Sequence, residues 1–470
     1  MAKPEHTFPV DEVPEVPGAA RLAGLYPQRQ EGLFMQRIKV PGGRITTAQW
    51  RSVADLAAEY TPEYPLHVTT RQDIQLHGVG PGDVPDVQRG IAEAGLTAMA
   101  ACGDSLRNIT VCPDSGLTVG SLDTEPIVYA IRSAAGSLPW IMDLPRKFKI
   151  SITGCEDLCT APWTSCLAFV ATNGRLSVLG AGSLGPRPAT GIRLYEDVAP
   201  ADIVPLTIAA LKMFREEGDR ENRSRARFRH VRERMGDGPF RNRLESLFRK
   251  EHREGGWPAA PFGRVGEGMA VTTRLHLPLG DVWPQDARQV ADAVDAAEGV
   301  MRIGLVHDLF LCSDDEPALG AELDRLRHAT RVIACPGNTW CSNGLADSRA
   351  AERAIREALP KRTDLQVRIS GCPNGCTHAG VADVGLVGRI KSVGGRRTPC
   401  FQLLAGGDNG RGPRLARRLH PAVPAADAAR AVSRLVSDYD RNARGRGFAD
   451  FVEREEERLA DELGRLFPEQ

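Results

Sequence analysis

An α/β protein built from two related halves is predicted from three observations. A strand–glycine turn–helix–strand pattern occurs twice, its copies 237 residues apart. A strand ending in two cysteines also occurs twice, once in Lys149–Cys159 and once in Val367–Cys376. The chain has 470 residues, enough for two to four domains with well-buried cores.

The first copy opens at Pro41-Gly42-Gly43, continues through the helical run Ser52–Ala57 and returns as a strand over Leu66–Leu76. Its counterpart runs from Pro278-Leu279-Gly280 through Gln289–Val294 to a strand over Met301–Leu311. Between them, Ala209–Gly256 is dense in Arg and Glu with apolar residues at helical spacing, which predicts solvated helices bridging the halves. Trp257–Gly263 is a turn-rich linker. Downstream, Asn343–Leu359 is predicted helical, Leu365, Val367 and Ile369 alternate as a strand, and Ala425–Tyr439 and Arg444–Leu466 form terminal helices. The resulting units are two half-units at 30–98 and 264–330, which pair into one domain, and two α/β lobes at 99–263 and 331–470. A pocket is expected between the halves.

Sixty basic residues balance sixty acidic ones, so nothing global calls for nucleic acid. The N-terminus has no apolar signal core and no run reaches membrane-spanning length, so the expected location is the cytoplasm. In that reducing compartment the eleven cysteines bind metal or pack as small hydrophobes. Packing suits Cys166, Cys312 and Cys400, which stand alone among apolar neighbours.

Cys335 and Cys341 lie on one short loop, Cys372 and Cys376 on another. Soft thiolates in two such loops suit a cubane iron–sulfur cluster. Zinc ribbons use tighter pairs than the five-residue gap between Cys335 and Cys341. The turn Pro373-Asn374-Gly375 brings Cys372 and Cys376 to one side, where backbone N–H groups can reach cluster sulfurs.

Cys-x5-Cys, then Gly371-Cys-Pro-Asn-Gly-Cys376, then Ala382–Gly388 resembles the sirohaem-dependent sulfite and nitrite reductase family. Arg37–Gly43, Thr69–Gly78, Leu106–Asn108 and Pro145–Lys149 match its signatures in order, and the resemblance extends from about Gly24 to Phe451. It implies a pseudo-twofold duplicated fold with three domains around sirohaem. It further implies a [4Fe-4S] cluster on Cys335, Cys341, Cys372 and Cys376, with Cys376 shared with the sirohaem iron. Arg37, Arg107, Lys147 and Lys149 match the family's substrate-binding positions. An oxyanion that loses oxygen as water needs fixed positive charge and a proton supply, and arginine forks with crowded lysines provide both. Thr69, Thr70, Arg71, Gln75 and His77 match a strand that contacts sirohaem carboxylates.

Cys155 and Cys159 keep cluster-type spacing, with Cys102 and Cys112 upstream. They could hold a second cluster, as in relatives with two metal centres, but the other half's pattern is not reproduced, so this set is expected to be a decayed ancestral site. Sulfite reduction to sulfide is the expected activity and nitrite reduction to ammonia the alternative. Plant-type nitrite reductases usually carry Asn at the position of Lys149, and an extra cation favours the dianion. Cys335–Cys341 also resembles the precorrin-3B synthases, against which the intact Pro145–Lys149 run argues. A simple electron carrier would leave the cationic residues unexplained. Gly180–Gly185 fits a dinucleotide fingerprint by spacing, but Pro186 and Pro188 follow where a helix is required. Electrons therefore come from a partner, either ferredoxin or a separate flavoprotein.

Overall fold

The computed structural model describes residues 17–468 apart from 156, 173, 174, 262, 267, 269, 270, 360–363, 394 and 409–413. The N-terminal stretch read for a signal sequence, residues 1–16, lies outside these.

The two copies fold by exchanging strands. One sheet runs Leu25–Pro27, Phe34–Ile38, Ile74–Val79, Leu66–Val68 and finally Asp281–Val282, a strand of the second copy. The other runs Val271–His276, Asp308–Ser313, Val300–Ile303 and then Arg44–Ile45 of the first copy. Asp281 pairs opposite His67, and Met301 opposite Ile45. Such crossing requires close backbone approach. A Cβ on Gly43 would sit 2.4 Å from the Ile303 carbonyl oxygen, and one on Gly280 would sit 2.6 Å from that of Val68. Both glycines also have positive φ, +68° and +78°.

Helices Thr47–Tyr60 and Pro284–Ala296 pack on each other over this pair of sheets. The first is closed at its start by a capping box of Thr46 and Gln49. Trp50 is fully buried and donates from its indole to the Ala287 carbonyl at 2.9 Å. Around it, Arg51 pairs with Asp292 and Arg288 with Asp55, each at 2.6 Å. These four residues repeat the 237-residue offset, so the duplication is visible as a reciprocal pair of ion pairs.

Each expected long strand is in fact two. Leu66–Val68 and Ile74–Val79 are separated by a turn, as are Val300–Ile303 and Asp308–Ser313. Gln72 and His307 hold the corresponding turn positions at φ +58°. Thr69, Thr70 and Arg71 therefore sit in a turn, and only Gln75 and His77 are on a strand.

The lobes repeat one topology. In the first, Thr110–Val111, Ile150–Thr153 and Leu167–Thr172 are parallel, and Arg175–Gly180 and Ile192–Tyr195 complete the sheet antiparallel. In the second, Val332–Ala334, Val367–Ser370 and Val384–Val393 are parallel, followed antiparallel by Arg396–Ala405 and Arg417–Pro424. All four residues of Val367–Ser370 are buried, because this central strand is covered on both faces.

Helices Pro200–Glu217, Phe228–Met235 and Asp237–Glu254 do not bridge the halves. Phe214, Phe228, Val231, Phe240 and Leu244 belong to the core of the first lobe. The predicted helix after Cys341 starts only at Ser348, where Asp347 caps it by accepting from the Ala350 N–H at 2.9 Å. Helices Ala428–Asn442 and Phe448–Leu466 close the second lobe, and residues of both enter its core.

Candidate active site

The second-lobe cysteines are placed by glycine-lined backbone. Cys335 follows the strand Val332–Ala334, and Cys341 ends the one-turn helix Gly337–Trp340. Cys372 and Cys376 flank the turn after Val367–Ser370, where Gly375 has φ +64°. Gly371 donates its N–H to Cys335 Sγ at 3.1 Å. Burial pushes the Cys335 thiol up to about 12 and Cys372 up to about 11, and Cys376 adds to both shifts. Burial raises Cys341 as well. Thiols held protonated in this way bind metal only by giving up their protons to it.

The first-copy hairpin seats this loop. Arg29 donates its N–H to the Trp340 carbonyl at 2.9 Å, Arg29 Nη2 donates to Gly344 at 2.7 Å, and Gln30 Nε2 donates to Thr339 at 2.8 Å. Thr70 Oγ1 donates to the Cys376 carbonyl at 2.8 Å, tying the turn Thr69–Asp73 to the last cysteine. Gly375 approaches Gly185, so the glycine run Gly180–Gly185 abuts the cluster turn, and no helix follows it as a dinucleotide fingerprint requires.

Cys376 is exposed and faces a basin of cations. Burial lowers Lys147 to about 7 with help from Arg227, Arg107 and Arg146, and Cys376 opposes the shift. Lys149 is driven well below its ordinary range by burial, Arg71, Lys147 and Arg227, again against Cys376. Arg37 is raised overall. Burial works against its charge, and Cys102, Asp73, Tyr26 and Cys376 outweigh it. Arg107 is 9% exposed, and its Nη2 donates to the Ala101 carbonyl while Nε is buried without a partner.

Lys147 and Lys149 precede the strand Ile150–Thr153 and flank Phe148, which bridges to Leu106. Phe148 is fully buried against Phe214 and Phe228, so alternation turns both lysines the other way. With its amide oriented to satisfy both ends, Gln75 accepts from Arg37 Nε and Nη2 at 3.1 and 2.7 Å and donates to His77 Nε2 at 3.0 Å. His77 then donates from Nδ1 to Gln28 Oε1 at 3.2 Å. Burial holds that imidazole neutral, well below its ordinary pKa. Arg71 donates to the Asn108 carbonyl at 2.5 Å. Thr69 turns inward locally, its Oγ1 accepting from the Arg71 and Asp73 N–H groups at 3.2 and 3.0 Å.

Sequence reasoning missed three residues here. Lys39 is lowered to about 7 by burial and Arg132, and its place two residues after Arg37, just past the strand Phe34–Ile38, was the available signal. Asp73 is the acid among these cations. Burial raises its carboxyl against Arg37, Arg107, Arg71 and Lys39. Arg227 reaches Lys147 and Lys149 from the helical segment read as solvated, and no local pattern marked it.

A narrow cleft between the halves is lined by Thr70, Arg71, Thr110, Cys159, Thr160, Leu305, Val306, Arg368 and His378. Arg71 Nε and Arg368 Nε are buried there without partners. Guanidinium groups with unpartnered Nε atoms beside a cationic basin suit a polycarboxylate cofactor, and four cysteines carried on two neighbouring loops, joined by the Gly371 N–H to Cys335 Sγ, suit an iron–sulfur cluster. The residues therefore fit both groups. Among the described residues no helix is long and apolar enough to cross a membrane.

The family described as nitrite and sulphite reductase 4Fe-4S domain matches residues 102–251 and 327–460. The nitrite/sulfite reductase ferredoxin-like half domain matches residues 26–94. The chain is 28% identical to a chloroplastic ferredoxin–nitrite reductase of Zea mays, over 88% of this chain and 80% of that one. It is 28% identical to an assimilatory ferredoxin-dependent nitrite reductase of Haloferax mediterranei, over 92% and 84%. It is also 29% identical to a ferredoxin–nitrite reductase of Synechococcus elongatus, over 84% of each. In structure it resembles the NirA protein of Mycobacterium tuberculosis with a TM-score of 0.79 at 24% identity, covering 93% of this chain and 90% of that one.

Proposed function

The chain belongs to the nitrite and sulphite reductase family, whose cofactors are sirohaem and a [4Fe-4S] cluster, and from that premise we propose that it reduces nitrite to ammonia with electrons from ferredoxin in the cytoplasm. One observation carries the reading: Cys376 lies within electrostatic reach of Arg37, Lys147 and Lys149, so the last cluster cysteine and the anion-binding cations share one basin. The relatives above, named ferredoxin–nitrite reductases, support nitrite and ferredoxin over the sulfite and flavoprotein options.

Cys335, Cys341, Cys372 and Cys376 would hold the cluster, with Cys376 as the ligand shared with sirohaem, and Thr69, Thr70, Arg71, Gln75 and His77 would support the macrocycle's carboxylates. When bound, the coupled pair supplies six electrons to the anion. The chain itself supplies charge and protons. Arg37, oriented by Gln75, and Arg107 bind the anion's oxygens as fixed donors. Burial and its cationic neighbours bring Lys147 to about 7, so it can deliver a proton at neutral pH and recover it from solvent. Lys149 stands beside it as a second donor. Nitrite reduction to ammonium consumes eight protons with its six electrons and releases two waters, so a replenished donor pair is what the reaction requires.

Sulfite is the second reading, and Lys149 favours it, because a second lysine suits a dianion better than a monoanion. The test compares nitrite and sulfite with reduced ferredoxin on the wild type and on Lys149→Asn. The expected result is a higher specificity constant for nitrite in the wild type, with a further shift toward nitrite in the variant. A wild type that prefers sulfite would replace this reading with the second one.

A further inference from the structure

In the first lobe the structure gathers a second set of thiols that the proposed function does not use. Cys112, Cys155 and Cys159 place their Sγ atoms within 4.8 Å of one another. Cys112 and Cys155 are 3.1 Å apart, Cys155 and Cys159 3.4 Å. Cys102, expected to accompany them, lies elsewhere, with its thiol 3.8 Å from the Gly24 carbonyl.

The scaffold under these three is that of the second-lobe cluster. Gly154 donates its N–H to Cys112 Sγ at 3.2 Å, as Gly371 does to Cys335 at 3.1 Å. The hydroxyls of Thr153 and Thr160 meet at 2.5 Å, as those of Ser370 and Thr377 do at 2.8 Å. Each turn then passes through a left-handed residue, Ala161 or His378. The first lobe thus retains three of four thiol positions. The counterpart of Cys341 is gone, since the chain after Cys112 reads Pro113-Asp-Ser-Gly-Leu-Thr118.

The spacing decides what such a set can hold. A cubane carries its thiolates on four outer irons, far apart, and here one corner has no ligand. A single tetrahedral ion with Zn–S bonds near 2.3 Å sets its sulfurs about 3.8 Å apart, close to what is found. Three soft thiolates select a zinc-like ion over harder divalent cations. We propose that Cys112, Cys155 and Cys159 bind one thiophilic divalent ion of the zinc class, separate from the iron–sulfur site. Among the described residues no fourth His, Cys, Asp or Glu joins the group. Cys159 and Thr160 open into the cleft that contains the unpartnered Nε atoms of Arg71 and Arg368. Three thiolates on a divalent ion carry one net negative charge, which those guanidinium groups offset.

The test is elemental analysis of the full-length, cofactor-loaded protein, with Cys155→Ser and Cys159→Ser alongside. The expected result is one zinc per wild-type chain, lost in each variant, with iron, acid-labile sulfide and the visible cofactor spectrum unchanged. Cobalt(II) added to zinc-depleted wild type should give the near-ultraviolet charge-transfer band of a cobalt–thiolate. That measurement needs no substitution, so a variant that misfolds does not decide the matter. Iron and sulfide lost with Cys155 would overturn the single-ion assignment. So would three freely alkylated thiols without metal, or a mass two hydrogens short from a disulfide. Metal content is read without turnover, so it stands or falls independently of the substrate.

Discussion

Lys147→Met should stabilise the cofactor-free protein, and by an amount that depends on pH. The basin crowds Arg37, Lys39, Arg71, Arg107, Lys147 and Lys149 around the acid Asp73, a charge arrangement that an anionic occupant balances. Burial and its cationic neighbours hold Lys147 at about 7 against an ordinary 10.5. At about 1.4 kcal/mol per tenfold, carrying that proton costs the folded state about 5 kcal/mol below pH 7. The sign is clear. Between about pH 7 and 10.5 the unfolded chain binds the proton that the folded one has released, so stability rises with pH across this window and is lowest below it. Methionine keeps the length and apolar stem without the charge. Water reaching the half-buried amine recovers part of the cost, so the expected gain is about 2 kcal/mol at pH 6, shrinking toward zero by pH 10. Urea unfolding of cofactor-free wild type and variant at both pH values measures it. The pH slope from Lys39 is common to both proteins and cancels in the difference, whereas Lys149 is relieved of its repulsion by Lys147 in the variant and adds to the gain at low pH. A variant no more stable than wild type at pH 6, or a gap that persists at pH 10, would refute the electrostatic account.

Three further outcomes are expected. Cys376→Ser should remove cluster absorption and sirohaem together, because the proposed ligand serves two metals; retention of either chromophore separates the sites. Gly371→Ala should cost about 2 kcal/mol or more and lower iron per chain, since a Cβ there would lie 2.6 Å from Gly337 Cα and 3.0 Å from the Ala346 carbonyl oxygen, backbone atoms that cannot yield; thermal melts and iron analysis check it. Gln75→Leu should raise the KM for the anion about tenfold, through loss of the two charge-assisted hydrogen bonds that orient Arg37, with a smaller change in kcat; steady-state kinetics at constant cofactor content would expose an unchanged KM.

The parts legible in the sequence were those written into contiguous residues. The offset between Pro41-Gly42-Gly43 and Pro278-Leu279-Gly280 announced the duplication, and the cysteine spacing of both lobes located their metal-facing turns. Lys147 and Lys149 are two positions apart about the apolar Phe148, a spacing that by itself sets both on one side of an extended chain. What alternation could not reveal is a turn inside an apolar run. Thr69–Asp73 reads as strand because its neighbours are β-formers, yet Gln72 adopts a left-handed conformation that pairing with the other half imposes.

The rest belonged to the tertiary structure, because it depends on which distant groups meet. Strand exchange between the copies comes from two-residue strands too short to carry a pattern. Arg227 enters the basin from a segment whose composition reads as solvated surface, and Asp73 gains its meaning only from the cations folded around it. Cys112 lies more than forty residues before Cys155, and neither spacing nor composition puts their sulfurs 3.1 Å apart. The parallel strands Thr110–Val111 and Ile150–Thr153 do so by bringing their C-terminal ends side by side. Local sequence determines which turns and ligands exist. Long-range packing determines which of them share a charge, a proton or an ion, because those interactions depend on distance through space and not on separation along the chain.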